Sequence, residues 1–346
     1  MNIWEKKIQI TPKILKFIAE IDEFKGSWAA IGKLAPEKLT TLKKVATIES
    51  IASSTRIEGA KLSDLEVKNL LSGLNILSLK NRDEEEIAGY AELMKLIFEF
   101  HQDLTPNENI IKQLHQILLK YSSKDIPHRG EYKKINNNVE AIGPDGRSLG
   151  IIFETVSPLE TPAKMESLVQ WLNTSSEDSH PLIVISIFTV AFLAIHPFQD
   201  GNGRLSRALT SLLLLRAGYD YTPFSSLERV IEVNKDFYYI RLREAQTEDI
   251  KSTKGLEDWI TFFLECLIKQ KNALKGKVEK EKLLQGISQL GEQILVLLKD
   301  HENLSIGDLV KLTGANRNTI KSQLASLVKT GDIRMAGKGK GSYYYL

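Results

Sequence analysis

The sequence has a single cysteine, Cys266, among its 346 residues. One thiol excludes an internal disulfide framework and a zinc site built from cysteines, and it is typical of a reducing compartment. An excess of one charge sign is also missing, because 46 Lys and Arg face 44 Asp and Glu for a formal net charge of +2. This balance argues against a chain that binds polyanions over its whole surface, although it is compatible with a local basic patch.

Long hydrophobic runs are missing as well. The longest apolar stretch, Leu182 to Ile195, is interrupted by Ser186 and Thr189. It is shorter than the roughly 20 residues that span a bilayer, so we predict a buried helix there and no membrane segment. The N-terminus has no apolar stretch after its charged residues, which differs from a secretory signal and favours a cytoplasmic protein.

What the sequence does have is length and helical periodicity. A chain of 346 residues exceeds what one hydrophobic core usually organises, so we expect two or three domains. Apolar residues recur at spacings of three and four positions over most of the chain, which predicts a mainly α fold. The predicted helices cover Thr40–Leu77, Glu84–Phe100, Glu108–Tyr121, Pro162–Asn173, Pro181–Ile195, Arg204–Ala217, Val233–Gln246 and Gly255–Lys271.

The segment from Tyr132 to Val156 interrupts this periodicity. It is rich in Asn, contains the turn sequence Gly143-Pro144-Asp145-Gly146-Arg147, and continues into the apolar residues 151–153. Two short strands around a Pro-Asp-Gly turn are the simplest interpretation, so we predict a β-hairpin. Because an isolated hairpin is marginally stable in water, it must pack against the helical body or pair with another strand.

The C-terminal part of the chain follows a separate pattern. Composition changes at the Lys-rich segment Lys269–Lys282, which predicts a domain boundary. Beyond it, Leu290–Lys299, Ser305–Leu312 and Arg317–Thr330 have helix-turn-helix spacing and precede two strands joined by a basic, Gly-rich tip. This order resembles a winged helix. We predict an N-terminal helical segment, a core, a Lys-rich linker and a winged helix at residues 1–80, 81–268, 269–285 and 286–346.

The most informative segment, His196 to Arg207, reads HPFQDGNGRLSR and joins two predicted helices. A loop that enters a helix N-terminus presents free N–H groups and the positive end of the helix dipole, both of which favour phosphate. Gly201 and Gly203 let the backbone approach a ligand closely. Arg204 and Arg207 are one turn apart, so both guanidinium groups can face the same anion. The segment predicts a nucleotide-phosphate site.

Three further residues of this segment have the chemistry such a site needs. Asp200 offers a hard oxygen ligand for Mg2+ beside the phosphates. His196 is the evident proton acceptor, with a reference pKa of about 6.5. Phe198 is expected to turn inward. The sequence contains neither a P-loop motif nor a strand followed by G-x-G-x-x-G. A metal-dependent hydrolase with His196 and Asp200 as ligands is the alternative, but no further His shows matching spacing.

The segment resembles the signature of the Fic-domain family, H-x-F-x-[DE]-G-N-G-R-x-x-R, with every defining position filled. The resemblance implies a Fic-like helical bundle with a β-hairpin flap, and transfer of AMP from ATP to a protein hydroxyl. It implies that His196 is the base for a Ser, Thr or Tyr hydroxyl of the target and that Asp200 holds Mg2+. The residues that it implies for the ATP phosphates are Gly201, Asn202, Gly203, Arg204 and Arg207.

The resemblance also gives meaning to other segments. The predicted hairpin takes the place of the family's flap, which registers the target by strand addition. The segment Asn234 to Leu242 resembles the helix that borders the adenine pocket, and Asn234 and Tyr239 are the candidates for base contacts. Relatives of this kind also suggest a homodimer.

An inhibitory element is implied near the N-terminus. Ser54, Glu58 and Gly59 stand at the defining places of the family's motif [ST]-x-x-x-E-[GN]. A Glu58 carboxylate paired with Arg207 would occupy the guanidinium that otherwise binds the γ-phosphate, and ATP would then be held out of line for transfer. The purified protein is therefore expected to be weakly active. In some relatives the same glutamate positions a water that removes AMP, and this second activity stays open.

Two alternative functions stay open as well. The chain is a DNA-binding regulator if the winged helix dominates, with Arg317, Lys321, Lys338 and Lys340 placed to meet phosphates. Winged helices also serve as protein-docking modules, which is an equal interpretation of the same segment. The other alternative keeps the Fic-like site but transfers a different phosphate-containing group.

Overall fold

The computed structural model of the protein describes residues 2–31, 36–73, 79–142, 148–175, 179–246, 253–285, 289–337 and 339–346. In this part of the chain there are fourteen α-helices and five short strands, so the mainly α prediction is confirmed. The chain divides into two compact units, Met1–Ala273 and Leu274–Leu346.

The helices of the first unit surround one buried helix that is apolar except for Ser186 and Thr189. They are α1 Pro12–Ile31, α2 Pro36–Ile57, α3 Asp64–Ser72, α4 Arg82–Phe100, α5 Glu108–Leu118, α6 Thr161–Ser175, α7 Pro181–Ile195, α8 Asn202–Arg216, α9 Leu227–Val233, α10 Lys235–Gln246 and the long helix α11 Lys254–Gln285, of which the residues up to Ala273 belong to this unit. Every residue of α7 from Leu182 onward is buried. A helix that is apolar all round needs neighbours on every side, and α7 contacts α6, α8 and α10. The predicted buried helix is confirmed.

The structure corrects the predicted helix Thr40–Leu77 by dividing it in two. Helix α2 ends at Ile57 and α3 begins at Asp64. Gly59 adopts a φ of 105°, a backbone conformation that favours glycine, and this turns the chain out of the helix. Ser63 then caps α3 and forms a capping box with Glu66. The break places Glu58 at the end of a helix.

Helix α11 corrects the predicted helix end at Lys271. It continues through the Lys-rich segment to Gln285, because Lys, Glu, Leu and Gln are good helix formers and Gly276 alone does not interrupt them. The proposed linker 269–285 is thus helical, while the fourfold domain division stays a prediction. Cys266 lies buried in α11, and burial raises the pKa of its thiol to about 12.

The hairpin prediction is confirmed by two antiparallel strands, β1 Val139–Ile142 and β2 Ser148–Phe153. Val139 pairs with Phe153 and Ile142 with Ser148, with register shifts along the ladder. The turn predicted at 143–147 lies outside the described residues. Among the described residues, no helix combines the length and apolar character that a membrane span requires.

The second unit has its own hydrophobic core. Its helices are α12 Gln289–Asp300, α13 Ile306–Thr313 and α14 Arg317–Thr330, and its strands β3 Leu304–Ser305, β4 Arg334–Ala336 and β5 Tyr343–Tyr345 form an antiparallel sheet of order β3-β5-β4. Ile294, Leu309 and Leu324 belong to the core. Helix α14 exposes Arg317 and Lys321, while Lys338 lies outside the described residues. The winged-helix assignment and DNA contact stay predictions.

Candidate active site

The motif segment begins where α7 ends. His196 caps α7 in the left-handed conformation, with φ 53° and ψ 58°. Among the described residues it is the one non-glycine with a positive φ. Such a conformation is unfavourable for a side chain and is often found at functional sites. The N–H of His196 still donates to Phe192 O at 2.9 Å, so the helix is complete up to this point.

The loop after His196 is closed by an amide clamp. Asn202 Oδ1 accepts from the Phe198 N–H at 2.9 Å, and Asn202 Nδ2 donates to Phe198 O at 2.7 Å. Phe198 is fully buried and stacks on His115, with 3.8 Å between ring centroids. The inward turn predicted for Phe198 is confirmed. Asn202 therefore shapes the loop that follows His196 through its side chain.

His115, which sequence reasoning missed, supports the same loop from α5. Its Nδ1 accepts from the Gly130 N–H at 2.9 Å, so we assign the proton to Nε2, which donates to Asp200 O at 2.9 Å. Burial lowers the pKa of His115 to about 4, so the ring is neutral at pH 7. The contact could not be predicted from the sequence, because His115 and Asp200 are 85 residues apart.

The segment before the hairpin is bound to the motif loop as well. The Lys133 N–H donates to Pro197 O at 2.9 Å, and Asn137 Nδ2 donates to Phe198 O at 2.5 Å. Lys133 Nζ donates to Ile195 O at 3.1 Å and to Thr155 Oγ1 at 2.8 Å. Burial lowers the pKa of this ammonium to about 8. Both ends of the hairpin are thereby attached to the turn that carries His196.

The two motif arginines are buried on α8. Arg204 is 2% exposed and pairs with Glu86 Oε2 at 2.9 Å, and its Nη2 lies 3.4 Å from Asp200 Oδ1. Arg207 is 3% exposed, and its Nε and Nη2 donate to Ser54 Oγ and Ser54 O, each at 2.9 Å. Both guanidinium groups are therefore fixed before any ligand arrives.

Glu58 lies on Arg207, as its place in the sequence motif implies. The carboxylate Oε1 is 2.9 Å from Arg207 Nη2. Although burial would lower the pKa of Arg207, the Glu58 carboxylate raises it above its ordinary value. A Cβ added at Gly203 would overlap the Glu58 carboxylate. Glu58 thus covers the first turn of α8, where free N–H groups face the cavity.

Arg56 fixes the end of α2 that carries Glu58. Its Nε is 2.6 Å from Glu232 Oε1 and its Nη2 is 3.0 Å from Glu232 Oε2, a two-pronged pair with α9. Its Nη1 donates to Leu62 O at 3.0 Å, and Asp64 lies 2.9 Å away at the start of α3. Two-pronged arginine–carboxylate pairs are geometrically specific, so Glu58 is held in one place.

Asp200 is surrounded by cations. Its Oδ2 is 2.9 Å from Arg82 Nη2, and Gly201 donates its N–H to Oδ1. Burial raises the pKa of Asp200, but Arg204, the Gly201 N–H and Arg82 outweigh it and hold the pKa below its ordinary value. The carboxylate is therefore ionised at neutral pH. Arg82 and its partner Glu86 were not identified from the sequence, because α4 approaches the motif only in the folded chain.

His196 faces the same cavity as these charges. Burial and, to a smaller extent, the Lys133 ammonium lower the pKa of its imidazole to about 4, although Glu58 and Asp200 act in the opposite direction. The ring is therefore neutral at pH 7. A neutral imidazole can accept a proton, which is what a general base must do.

One cavity of about 270 Å³ brings most of the predicted residues together. His196, Asp200, Arg204 and Arg207 line one part of it with Glu58. The other lining residues include Arg82, Glu86, Val139 of the hairpin, and Tyr238, Tyr239, Leu242, Arg243 and Gln246 of α10.

The two residues predicted to contact the adenine base differ in their position relative to the cavity. Tyr239 lines the cavity, whereas Asn234 is not among the described residues that do so. Asn234 Nδ2 donates to Val230 O at 2.6 Å, and its Oδ1 accepts from Lys269 Nζ at 3.1 Å. Gln246, two turns beyond Tyr239 on the same helix, was missed. Gln246 is seven residues from Tyr239, and this spacing places both side chains on the same face of the helix. The spacing could therefore have predicted that Gln246 lines the cavity.

Comparisons with known proteins agree with this geometry. Residues 103–214 match the Fic/DOC family. The chain is 28% identical over 252 residues to protein adenylyltransferase Fic of Drosophila grimshawi, an alignment that covers 72% of this chain and 47% of the fly protein. The chain spans about half the length of the curated relatives it matches.

Two solved structures share the fold. A Fic family protein from Desulfovibrio desulfuricans G20 superposes with a TM-score of 0.63 at 24% identity, covering 98% of this chain and 97% of that one. A Fic domain containing signaling protein from Bacteroides thetaiotaomicron gives a TM-score of 0.60 at 24% identity, covering 75% of this chain and 97% of that one.

Proposed function

We propose that the chain transfers AMP from ATP to a hydroxyl side chain of a protein, as the match of its residues 103–214 to the Fic/DOC family suggests. The observation that carries the proposal is the shared cavity. It holds a neutral imidazole, an ionised carboxylate, a helix N-terminus and two buried arginines. This is the set of groups that phosphoryl chemistry on a nucleotide requires.

The proposed reaction uses these groups in defined roles. The target hydroxyl oxygen forms a bond to the α-phosphorus, and its proton passes to the His196 imidazole. The bond from the α-phosphorus to the bridging oxygen breaks, and pyrophosphate leaves. The first turn of α8, Arg204 and Arg207 hold the phosphates and their charge, so positioning and charge neutralisation account for most of the rate.

The residues present also fit Mg2+. The described residues contain no cluster of three or more His, Cys, Asp or Glu side chains that could enclose a metal. Mg2+ is commonly bound by one or two carboxylates together with substrate phosphates and waters, and Asp200 offers such a carboxylate beside the phosphate loop. When bound there, Mg2+ would neutralise charge on the phosphate oxygens.

Glu58 is proposed to inhibit this transfer. It occupies Arg207 and covers the first turn of α8, which are the groups that would otherwise receive the terminal phosphate. Its carboxylate also borders the cavity of His196, so removal of AMP by water is a second proposed activity. A cytoplasmic location, a homodimer and DNA contact by the second unit stay predictions from the sequence.

The group that is transferred can be identified by isotope position. With the Glu58→Gly variant, label from α-phosphate-labelled ATP is expected to become attached to protein, and label from γ-phosphate-labelled ATP is not. Mass spectrometry of the modified protein should show the added mass of an AMP group. Attachment of the γ-label would contradict AMP transfer and favour transfer of phosphate.

The proposed contact with the adenine base gives a second test. Gln246 is buried and lines the cavity on the helix of Tyr239, and its amide can both donate and accept hydrogen bonds. Gln246→Leu is expected to raise KM for ATP about tenfold with a smaller change in kcat, since one buried hydrogen-bond pair is lost. Asn234→Ala serves as the comparison.

Steady-state kinetics of both variants in the Glu58→Gly background separate the two candidates. If Asn234→Ala raises KM and Gln246→Leu does not, the base contact predicted from the sequence is correct and the cavity assignment is wrong.

A further inference from the structure

Arg82, in the first turn of α4, is a cation that lines the cavity and lies outside the motif. We propose that Arg82 holds Asp200 in the nucleotide-free protein and moves to the nucleotide phosphates when Mg2+ and ATP bind. This inference rests on the proposed function, because it takes a magnesium nucleotide as the ligand of the cavity. In this proposal Arg82 binds the nucleotide phosphates. Without nucleotide, it competes with the metal ion for the Asp200 carboxylate.

The first argument is the difference in exposure between Arg82 and the two motif arginines of the cavity. The side chains of Arg204 and Arg207 are 2% and 3% exposed, whereas that of Arg82 is 51% exposed. Arg204 and Arg207 are also fixed by partners on α4 and α2. A half-exposed side chain keeps freedom to change partners at low cost, so Arg82 can exchange its contacts while the buried pair cannot.

The second argument is that both oxygens of the Asp200 carboxylate already have partners. Oδ1 receives the Gly201 N–H and lies near Arg204, both of which belong to the rigid start of α8. Oδ2 is held by Arg82 at 2.9 Å. A metal ion that binds Asp200 must therefore compete with a guanidinium, and Oδ2 is the oxygen whose present partner can leave.

The third argument is that Arg82 keeps a second contact when it releases Asp200. Its Nε is 2.6 Å from Glu86 Oε1, one turn along α4. Glu86 is itself held by Arg204 at 2.9 Å and is almost fully buried. Once Oδ2 is taken by a metal ion, the Glu86 contact keeps the guanidinium at the cavity that it lines. Its outer N–H groups then face the space that the phosphates enter, and guanidinium groups bind phosphate oxygens strongly.

These contacts predict opposite effects on two affinities. Without nucleotide, Arg82 opposes the metal, so removing its charge should favour metal binding. With nucleotide, Arg82 adds a cation to the phosphate site, so removing its charge should weaken the complex. Metal and nucleotide are then coupled through one side chain, and the coupling has the same size whichever ligand binds first.

The test uses full-length Glu58→Gly protein with and without Arg82→Gln. Mn2+ replaces Mg2+ so that binding can be followed by electron paramagnetic resonance. Mn2+ alone is expected to bind about fivefold more tightly to Arg82→Gln. Mn2+ with a non-hydrolysable ATP analogue is expected to bind about tenfold more weakly, because a charge-assisted hydrogen bond is lost. Arg82→Lys should restore part of the second affinity.

The matched control is Lys120→Gln. Lys120, which follows α5, is a half-exposed cation paired with Glu92 of α4, the helix that carries Arg82, and it does not line the cavity. Neither affinity should change in this variant. The inference is overturned if Arg82→Gln leaves both affinities unchanged, or changes both in the same direction. Failure of the analogue to bind the Glu58→Gly protein with intact Arg82 would instead overturn the proposed function.

Discussion

The Glu58→Gly variant is expected to attach label from α-labelled ATP to itself and to other proteins about 100-fold faster than the wild-type chain. A reacting group that is misplaced by about 1 Å can lose this much rate, and Glu58 contacts Arg207, which we propose aligns the phosphates. Its removal frees an N–H of Arg207 and uncovers the first turn of α8. The measurement is the initial rate of labelling at saturating ATP.

The structure indicates that this variant still folds. Arg207 keeps two hydrogen bonds to Ser54 when Glu58 is removed. Arg56 keeps the end of α2 attached to Glu232. Glu58→Gln, which preserves shape and removes the charge, should give an intermediate rate. Glu92→Gln, a carboxylate change on the outer side of α4, should leave the rate unchanged. Equal labelling by wild type and Glu58→Gly would contradict the inhibitory role.

Adding His196→Ala to Glu58→Gly is expected to reduce labelling by about 10²- to 10⁴-fold, which is the usual contribution of a general base. The imidazole lines the cavity with Arg204 and Arg207, and its low pKa keeps it neutral, so that it can accept a proton. The reduction should appear in kcat, while ATP binding measured by calorimetry should stay close to that of Glu58→Gly.

The pH dependence of Glu58→Gly tests the same residue. His196 with a pKa of about 4 is protonated only as the pH falls toward that value. We therefore expect kcat/KM to be level near neutral pH and to fall below about pH 5. His301→Ala, which changes an exposed histidine of the second unit, is the control and should keep the rate. Full activity of the His196→Ala double variant would remove His196 from the mechanism.

Local patterns were sufficient to predict the parts of the site that are continuous in sequence. The segment from His196 to Arg207 contains base, carboxylate, glycines and arginines within one turn and one helix start, so their proximity follows from the chain itself. The hairpin strands also follow from local composition, because Asn-rich residues and β-branched residues flank a turn signal. The resemblance supplied the link from Glu58 to Arg207, which are 149 positions apart.

Contacts between distant elements were not predictable in this way. Arg82, Glu86 and His115 reach the motif from α4 and α5, and isolated charged or polar residues on amphipathic helices look like ordinary surface positions. Gln246 was overlooked in favour of Asn234 because a single helical segment does not reveal which of its faces borders a cavity.

Helix α1 was missed for a different reason, and the short helix α9 was missed as well. Residues 12–31 form α1, although no element is predicted there. Its buried residues Ile14, Ile18, Ile21 and Phe24 have helical spacing. The signal was present, but Pro12 and the charged residues between the apolar positions obscured it. Proline is well tolerated in the first turn of a helix, so Pro12 marks a helix start.

Lys133 joins the hairpin to the turn that carries His196. Its ammonium joins Thr155, after the hairpin, to Ile195, directly before His196. Asn137, before the hairpin, joins the same turn through Phe198. A protein segment that paired with the hairpin would therefore be held at a fixed place relative to His196. If the proposed function is correct, the register of that pairing would determine which hydroxyl group of the target meets the imidazole.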